Sequence, residues 1–378
     1  MSDLSKYQEL KLRILAEGIT VTEKSRNWIQ DVIEHRGLSS ADYASTSGVI
    51  LRLGNDTWVN APIEDHNPNF VDKPEIVLDY ENEELIVRYN QDYMPAAFCL
   101  PPAYQGSTEM KQYPPYVMFT HADRARLSPM SGCSMACRFC GISFEKPSVQ
   151  YELFSPETCI EVLEIAVNDP IQPARHIMIS GGTPRPTDIE AQKEMYYQVL
   201  SAFPKIDIDI MMVPMPGLLD VAELNSQGVN ELSINIEIFD EDESRRIIPQ
   251  KHKYGHRYYL DFIENAVEEL GVGRVRSMLL VGLEPIESTL KGVEAIAERG
   301  GLPVLSPFRP DTVTPMRKVP PPSYQLMREV YVRGQEIATK YGVVLGPTCP
   351  PCTHNTLSFA EDVTGKVNYI HDAPRVLQ

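Results

Sequence analysis

Basic side chains are scarce in this chain. Across 378 residues there are 35 Lys and Arg against 52 Asp and Glu, a formal net charge of −17. Such a surface repels phosphate backbones at long range, and nucleic-acid binding ordinarily begins with a basic footprint, so an RNA or DNA substrate is disfavoured. Taken alone, the acidity reads most simply as a device for solubility. Long apolar runs are missing too: no stretch approaches the uncharged segment needed to cross a bilayer, which argues against a membrane protein. The first residues, Met1-Ser2-Asp3-Leu4-Ser5-Lys6, lack the apolar core of a signal peptide, and the expected location is the cytoplasm. There is no internal repeat and no low-complexity tail. The seven cysteines are odd in number and unevenly clustered, which argues against a disulfide framework and points to metal binding or thiol chemistry in a reducing compartment.

What is present is a globular composition, 43% hydrophobic and 23% charged. The segment Tyr7–Arg36 reads as helical with Gly37 as its stop, followed by short strands at Val49–Leu51, Thr57–Val59 and Glu75–Leu78. The runs Ile76–Tyr80 and Leu85–Tyr89 predict a hairpin. Residues 1–112 thus form an N-terminal helical and β extension, and the Pro-rich passage from Leu100 to Pro115 leads out of it. From Tyr116 strands and helices alternate. Strands are expected at Tyr116–Thr120, His176–Ser180, Ile206–Val213, Glu231–Ile238, Val275–Val281 and Pro303–Ser306, with a last short one at Val343–Leu345. That alternation predicts an α/β fold with a parallel sheet, a partial (β/α)6 TIM-type barrel over 113–310, with active-site loops at the C-terminal ends of its strands. A C-terminal segment, 311–378, adds a helix, the last strand and a cysteine-containing loop.

The chemistry concentrates in Ser131-Gly132-Cys133-Ser134-Met135-Ala136-Cys137-Arg138-Phe139-Cys140-Gly141, just after the first expected strand. Three thiolates within eight residues can wrap one cubane, and no fourth cysteine lies nearby, so one iron would stay open to an exogenous ligand. The competing reading is a zinc site completed by a histidine such as His121; it is the weaker one, because zinc sites are usually built from paired Cys-x2-Cys arms. Cys-x3-Cys-x2-Cys with an aromatic residue before the last cysteine resembles the defining motif of the radical S-adenosylmethionine (SAM) superfamily. The resemblance implies a [4Fe–4S] cluster on Cys133, Cys137 and Cys140, with SAM chelating the open iron. It also implies a reductive cleavage to the 5′-deoxyadenosyl radical, which abstracts a substrate hydrogen, with Phe139 and Gly141 near the adenine.

Downstream segments extend the resemblance in order. Ser180-Gly181-Gly182-Thr183 looks like the family's glycine-rich turn that binds the SAM amino group, with Thr183 where Glu is common. Along Ser233-Ile234-Asn235-Ile236-Glu237-Ile238, a period of two puts Ser233, Asn235 and Glu237 on one face. That face would point into the barrel toward the ribose or amino-acid part of SAM; the bland alternative is an exposed strand face at a barrel edge. Among Arg245, Arg246, Lys251, Lys253 and Arg257, spacing does not single out the partner of the SAM carboxylate, and Arg257 is the residue named. Gly282 and Glu284 resemble the element that flanks adenine.

Gly346-Pro347-Thr348-Cys349-Pro350-Pro351-Cys352-Thr353-His354 follows the last expected strand. Cys349 and Cys352, with His354, could hold a second metal or cluster; one thiol could serve as a catalytic hydrogen donor or covalent link; or the pair could be structural. The additional cysteine triplet of lipoyl synthase and the cysteine-rich C-terminal domain of peptide-modifying members are both absent. The sequence therefore predicts a radical SAM enzyme acting on a small-molecule biosynthetic intermediate, served by a flavodoxin or ferredoxin reductant. RNA or peptide modification is the enzymatic alternative, and a zinc or electron-transfer protein the non-enzymatic one.

Overall fold

The computed structural model describes residues 4–33, 48–63, 74–105, 107–114, 117–144, 151–363 and 374–378. The chain opens with α1 (Lys6–Glu17), started by a capping box between Ser5 and Gln8 and ended at Gly18, whose φ of 82° only glycine adopts freely. The β-branched run after Gly18 forms β1 (Thr20–Val21), and Thr22 then caps α2 (Glu23–Val32). The single helix expected over Tyr7–Arg36 is thus two helices with a strand between them, while Gly37 lies outside the described residues. Strands β2 (Val49–Leu53), β3 (Thr57–Ala61), β4 (Val77–Glu81), β5 (Glu84–Tyr89) and β6 (Asp92–Cys99) complete an N-terminal sheet in the order β1-β4-β5-β6-β2-β3. The expected hairpin is β4–β5, with Leu78 opposite Val87.

The second sheet is the half-barrel. Met118–His121 (β7) turns through Ala122, at φ 56°, into Arg124–Leu127 (β8), and the two pair antiparallel. This corrects the expected first barrel strand: the run from Phe119 to Thr120 belongs to an antiparallel edge strand, and the first parallel strand is β8. Tyr116 lies outside the described residues. A short ladder of β9 (Met130–Ser131) with β10 (Glu152–Leu153) closes the base of the cysteine loop. Then come α3 (Pro156–Val167), β11 (His176–Ile179), α4 (Ile189–Ala202), β12 (Asp207–Met211), α5 (Val221–Ser226) and β13 (Glu231–Ser233). Two short helices, α6 (Glu241–Ile247) and α7 (Pro249–His252), precede α8 (Gly255–Leu270), β14 (Val275–Val281), α9 (Ile286–Ala297) and β15 (Leu302–Pro307). The order β15-β14-β13-β12-β11-β8-β7 is parallel from β8 to β15, six strands joined by helical crossovers. Apolar runs such as His176-Ile177-Met178-Ile179, buried throughout, are what a strand covered on both faces requires.

Helix α10 (Tyr324–Lys340) packs on α9 and on α1. The last strand expected at Val343–Leu345 does not form. Its three residues are buried, but Pro347, Pro350 and Pro351 deny the ladder the N–H groups it would need, and only isolated bonds reach β15, from Gly346 N to Pro303 O and from Leu357 N to Leu305 O. The cysteine loop turns through Pro351–Asn355 against β3; α11 (Ala360–Val363) follows, and β16 (Val376–Leu377) pairs with β6 of the N-terminal sheet.

One buried cation ties the N-terminal helix to that loop. Lys11 is fully buried and donates to Thr353 O at 2.8 Å and Ser358 O at 2.6 Å, and burial lowers its pKa to about 7. Between about pH 7 and its ordinary value of 10.5 the unfolded chain holds a proton that the folded chain has given up. Stability through this group therefore rises with pH across that window and is lost as pH falls to 7. Replacing Lys11 by Met removes the donor to the buried Ser358 carbonyl, while Thr353 O keeps its bonds from Thr356; the expected cost is about 1–3 kcal/mol. The difference in thermal midpoint between wild type and Lys11→Met should widen from pH 7 to pH 10, and parallel pH profiles would contradict this assignment.

Candidate active site

The cysteine motif stands over the C-terminal end of β8, on a loop held at several points. Ser134 N donates to Thr183 O at 2.9 Å and its hydroxyl to Pro184 O at 2.9 Å. Arg138 N donates to Ile247 O and Ala136 N to Gln250 Oε1, so the short helices after β13 hold the far side. Cys133 Sγ accepts backbone N–H groups from Met135 at 3.3 Å and Thr183 at 3.2 Å. Such donors stabilise a thiolate. Burial pushes the Cys140 thiol up to about 11 and the Cys137 thiol higher, so without a metal both stay protonated, whereas a coordinating thiol is deprotonated outright.

The glycine turn fits against this loop by close approach. At Gly182, with φ 77°, a Cβ would lie 2.5 Å from Met130 Cγ and 2.6 Å from Gly132 O; at Gly181, with φ 103°, it would lie 2.5 Å from Ser128 Oγ. Only glycines let the turn after β11 lie this close to the cysteines.

Cys133, Cys137, Phe139, Cys140, Ser180, Gly181, Gly182, Thr183, Asn235 and Glu237 line one cavity of about 210 Å³, together with Arg126, Met211, Lys251 and Met278. The structure thus brings most of the expected site residues together. Asn235 Oδ1 accepts from Ser233 Oγ and Met278 N, which leaves its amide nitrogen for the cavity. Glu237 has φ 68°, and Ile238 N bonds back to Ile236 O across it, a three-residue turn of the strained, positive-φ kind. Strand β13 therefore stops at Ser233, short of the expected Ile238, and the strain aims the Glu237 carboxylate inward. Ser233, Asn235 and Glu237 are all buried, so an exposed edge face is excluded.

Four expected residues stand elsewhere. Arg257 is 94% exposed on α8 and pairs with Asp261, because its helical position faces solvent. Of the five cations considered after β13, the one that lines the cavity is Lys251, whose Nζ lies 2.7 Å from Glu237 Oε1; burial pulls its pKa down, but Glu237 prevails and raises it. Glu284 is a latch: it accepts the Phe239 and Asp240 N–H groups at 2.7 and 2.6 Å and the Thr289 hydroxyl at 2.9 Å, outside the cavity lining. Gly282 packs on Pro322 instead. Gly141 lies beside the Asp311 carboxylate rather than in the lining.

A second cavity of about 260 Å³ continues through the barrel interior and shares Arg126, Ser180, Met211 and Met278 with the first. Its lining includes Ser233, Arg124, Arg276, His121 and His354, and it ends at Cys352. Cys349, Cys352 and His176 meet at the N-terminal ends of the strands, all buried, with their ligand atoms within 4.8 Å of one another. Beside them Asp209 Oδ2 contacts His176 Nε2 at 2.9 Å and Arg276 Nη2 at 2.8 Å, and Arg276 also pairs with Glu231. Despite burial, His176 and Arg276 hold the Asp209 carboxyl well below its usual range. His176 and Asp209 escaped sequence reading, since each is one polar residue in a strand remote from the cysteine pair. Lys251 was visible only as one of several cations.

A parallel half-barrel with three clustered cysteines above its first strand has the architecture of an iron–sulfur enzyme. Residues 127–294 match the family model described as the radical SAM superfamily. That segment, under half of the chain, carries the domain of a radical SAM enzyme, and its all-thiolate donor set with two N–H donors on Cys133 fits the [4Fe–4S] cluster that the family implies. A bacteriochlorophyllide c C-7(1)-hydroxylase from Chlorobaculum limnaeum is 27% identical over 139 residues, 36% of this chain. The match spans about a third of that relative's length (35%). Among solved structures, a radical SAM methyltransferase from Sphaerobacter thermophilus is similar at 13% identity and TM-score 0.47, covering 73% of this chain and 78% of that one. HydG, a maturase of the [FeFe]-hydrogenase, is similar at 16% identity and TM-score 0.49, covering 63% and 55%.

Gly182→Ala should push the cysteine loop off the turn. The expected outcome is a folded protein whose iron content after anaerobic purification is well below that of wild type; wild-type iron would show that the close contact is dispensable.

Proposed function

We propose that this protein binds a [4Fe–4S] cluster on Cys133, Cys137 and Cys140 and SAM beside it, and catalyses hydrogen abstraction from a small anionic molecule in the second cavity. When bound, cluster and SAM supply a 5′-deoxyadenosyl radical, formed as an electron from a flavodoxin- or ferredoxin-type reductant cleaves the sulfonium bond. The protein's own residues provide the setting. Gly181, Gly182 and Thr183 let a ligand's polar end approach backbone, and Phe139 offers an apolar face. Ser180 and Asn235 offer polar contacts, and the Lys251–Glu237 pair presents both charges to an amino-acid moiety. Arg257, Gly282 and Glu284 have no part in this reading.

The observation that carries the substrate class is Arg124. It is 9% exposed, lines the second cavity, and makes no hydrogen bond or ion pair with a carboxylate among the described residues. A buried guanidinium without a carboxylate partner is costly, and an anionic group on the bound molecule would offset that cost. The lining that the two cavities share supports binding of such a molecule next to the cluster cavity. Similarity to a hydroxylase acting on bacteriochlorophyllide supports C–H chemistry on a small biosynthetic molecule. In this reading the flanking segments, 1–112 and 311–378, set substrate choice.

Anaerobically reconstituted protein given dithionite and SAM should release 5′-deoxyadenosine, measured by liquid chromatography and mass spectrometry. Replacing Cys133, Cys137 and Cys140 by Ala should abolish release together with iron; cleavage persisting in that variant would sink the assignment. Lys251→Met breaks a buried pair and strands Glu237. It should weaken SAM binding in calorimetry by about tenfold or more, equivalent to about 1.4 kcal/mol, and unchanged affinity would remove the pair from the ligand site.

A further inference from the structure

We infer that His176, Cys349 and Cys352 form a second metal site, a single zinc ion at the floor of the barrel, separate from the cluster.

Geometry is the first argument. With Zn–S at about 2.3 Å and Zn–N at about 2.0–2.1 Å, a tetrahedral ion needs its sulfur and nitrogen ligands roughly 3.6 Å apart. Cys352 Sγ lies 3.6 Å from His176 Nδ1, and all three ligand atoms fall within 4.8 Å. That spacing suits one ion; the thiolates of a cubane stand on separate irons and need more room. The donors give the second argument. Two thiolates and an imidazole are a soft, nitrogen-containing set that selects zinc over calcium or magnesium.

The surroundings supply the third. Asp209 sits at 2.9 Å from His176 Nε2, so the carboxylate fixes the ring with Nδ1 turned to the sulfur, the arrangement that orients a metal-bound histidine. Asn230 and Arg276 hold Asp209 in turn. Cys352 N donates to Cys349 O at 3.0 Å, so the Cys-Pro-Pro-Cys turn is already closed around the two sulfurs. Each sulfur, and Nδ1, binds as a deprotonated donor, and loading therefore releases protons to solvent. Two thiolates neutralise the ion, so Arg124 keeps its charge for an anionic ligand. Three protein ligands leave one position for an exogenous ligand, and Cys352 borders the second cavity.

Metal analysis of the anaerobically purified full chain tests this without reference to turnover. One zinc per chain is expected beside the cluster iron. Cys349→Ala and Cys352→Ala should each lose the zinc and keep the iron, while alanines at Cys133, Cys137 and Cys140 should lose iron and keep zinc. Zinc-edge X-ray absorption of the wild type should show two sulfur scatterers among the nearest neighbours. Asp209→Asn, which keeps the ligands but weakens their support, should lower zinc affinity roughly 10–100-fold in chelator competition. Wild-type protein without zinc, zinc that survives both cysteine variants, a zinc edge without sulfur neighbours, or loss of iron on removing Cys352 would each overturn the proposal.

Discussion

A buried carboxylate holds the barrel floor together. Asp209 on β12 reaches His176 on β11 and Arg276 on β14, Arg276 reaches Glu231 on β13, and Thr348 donates from the C-terminal loop to Glu231 at 3.3 Å. Four neighbouring strands and the plug beneath them are therefore joined by one charge network. Each of these charges would be expensive alone in an apolar interior; together they satisfy one another and fix the register in which the strands meet the plug. The interior above the network can then stay open, lined by side chains such as Met178, Met211 and Met278, without the barrel collapsing on itself.

That arrangement gives the molecule two ends with different chemistry. At the C-terminal ends of the strands, glycine turns and a stitched loop gather three thiols where backbone N–H groups can support them. At the N-terminal ends, a proline-rich loop brings two more thiols to an oriented histidine. The two cavities share Arg126, Ser180, Met211 and Met278, so a molecule held near the floor reaches toward the cluster motif. The N-terminal extension takes part through Lys11, which fastens the loop from below.

One strained residue falls at the cluster cavity itself. The positive φ of Glu237 interrupts the strand pairing beyond β13, and its carboxylate lines the cavity. The bridge between Glu237 and Leu279 resumes the pairing beyond the interruption. Lys251 completes the pair from α7, a helix of one turn that the sequence pattern did not separate from its neighbours.

The sequence by itself determined the cysteine triplet, the glycine turn, the alternation of strands and helices, and the inward face of Ser233, Asn235 and Glu237. These are local patterns, fixed by ligand spacing, by glycine's backbone freedom and by strand periodicity. Tertiary structure decided what depends on residues far apart in the chain. It put Lys251 at the cavity and left Arg257 in solvent, and it made Glu284 a backbone latch. It turned the first expected barrel strand into an antiparallel edge, and it joined His176 and Asp209 to Cys349 and Cys352. No periodicity relates a single polar residue at a strand start to a loop some 170 positions later; only the closing of the sheet brings them into contact.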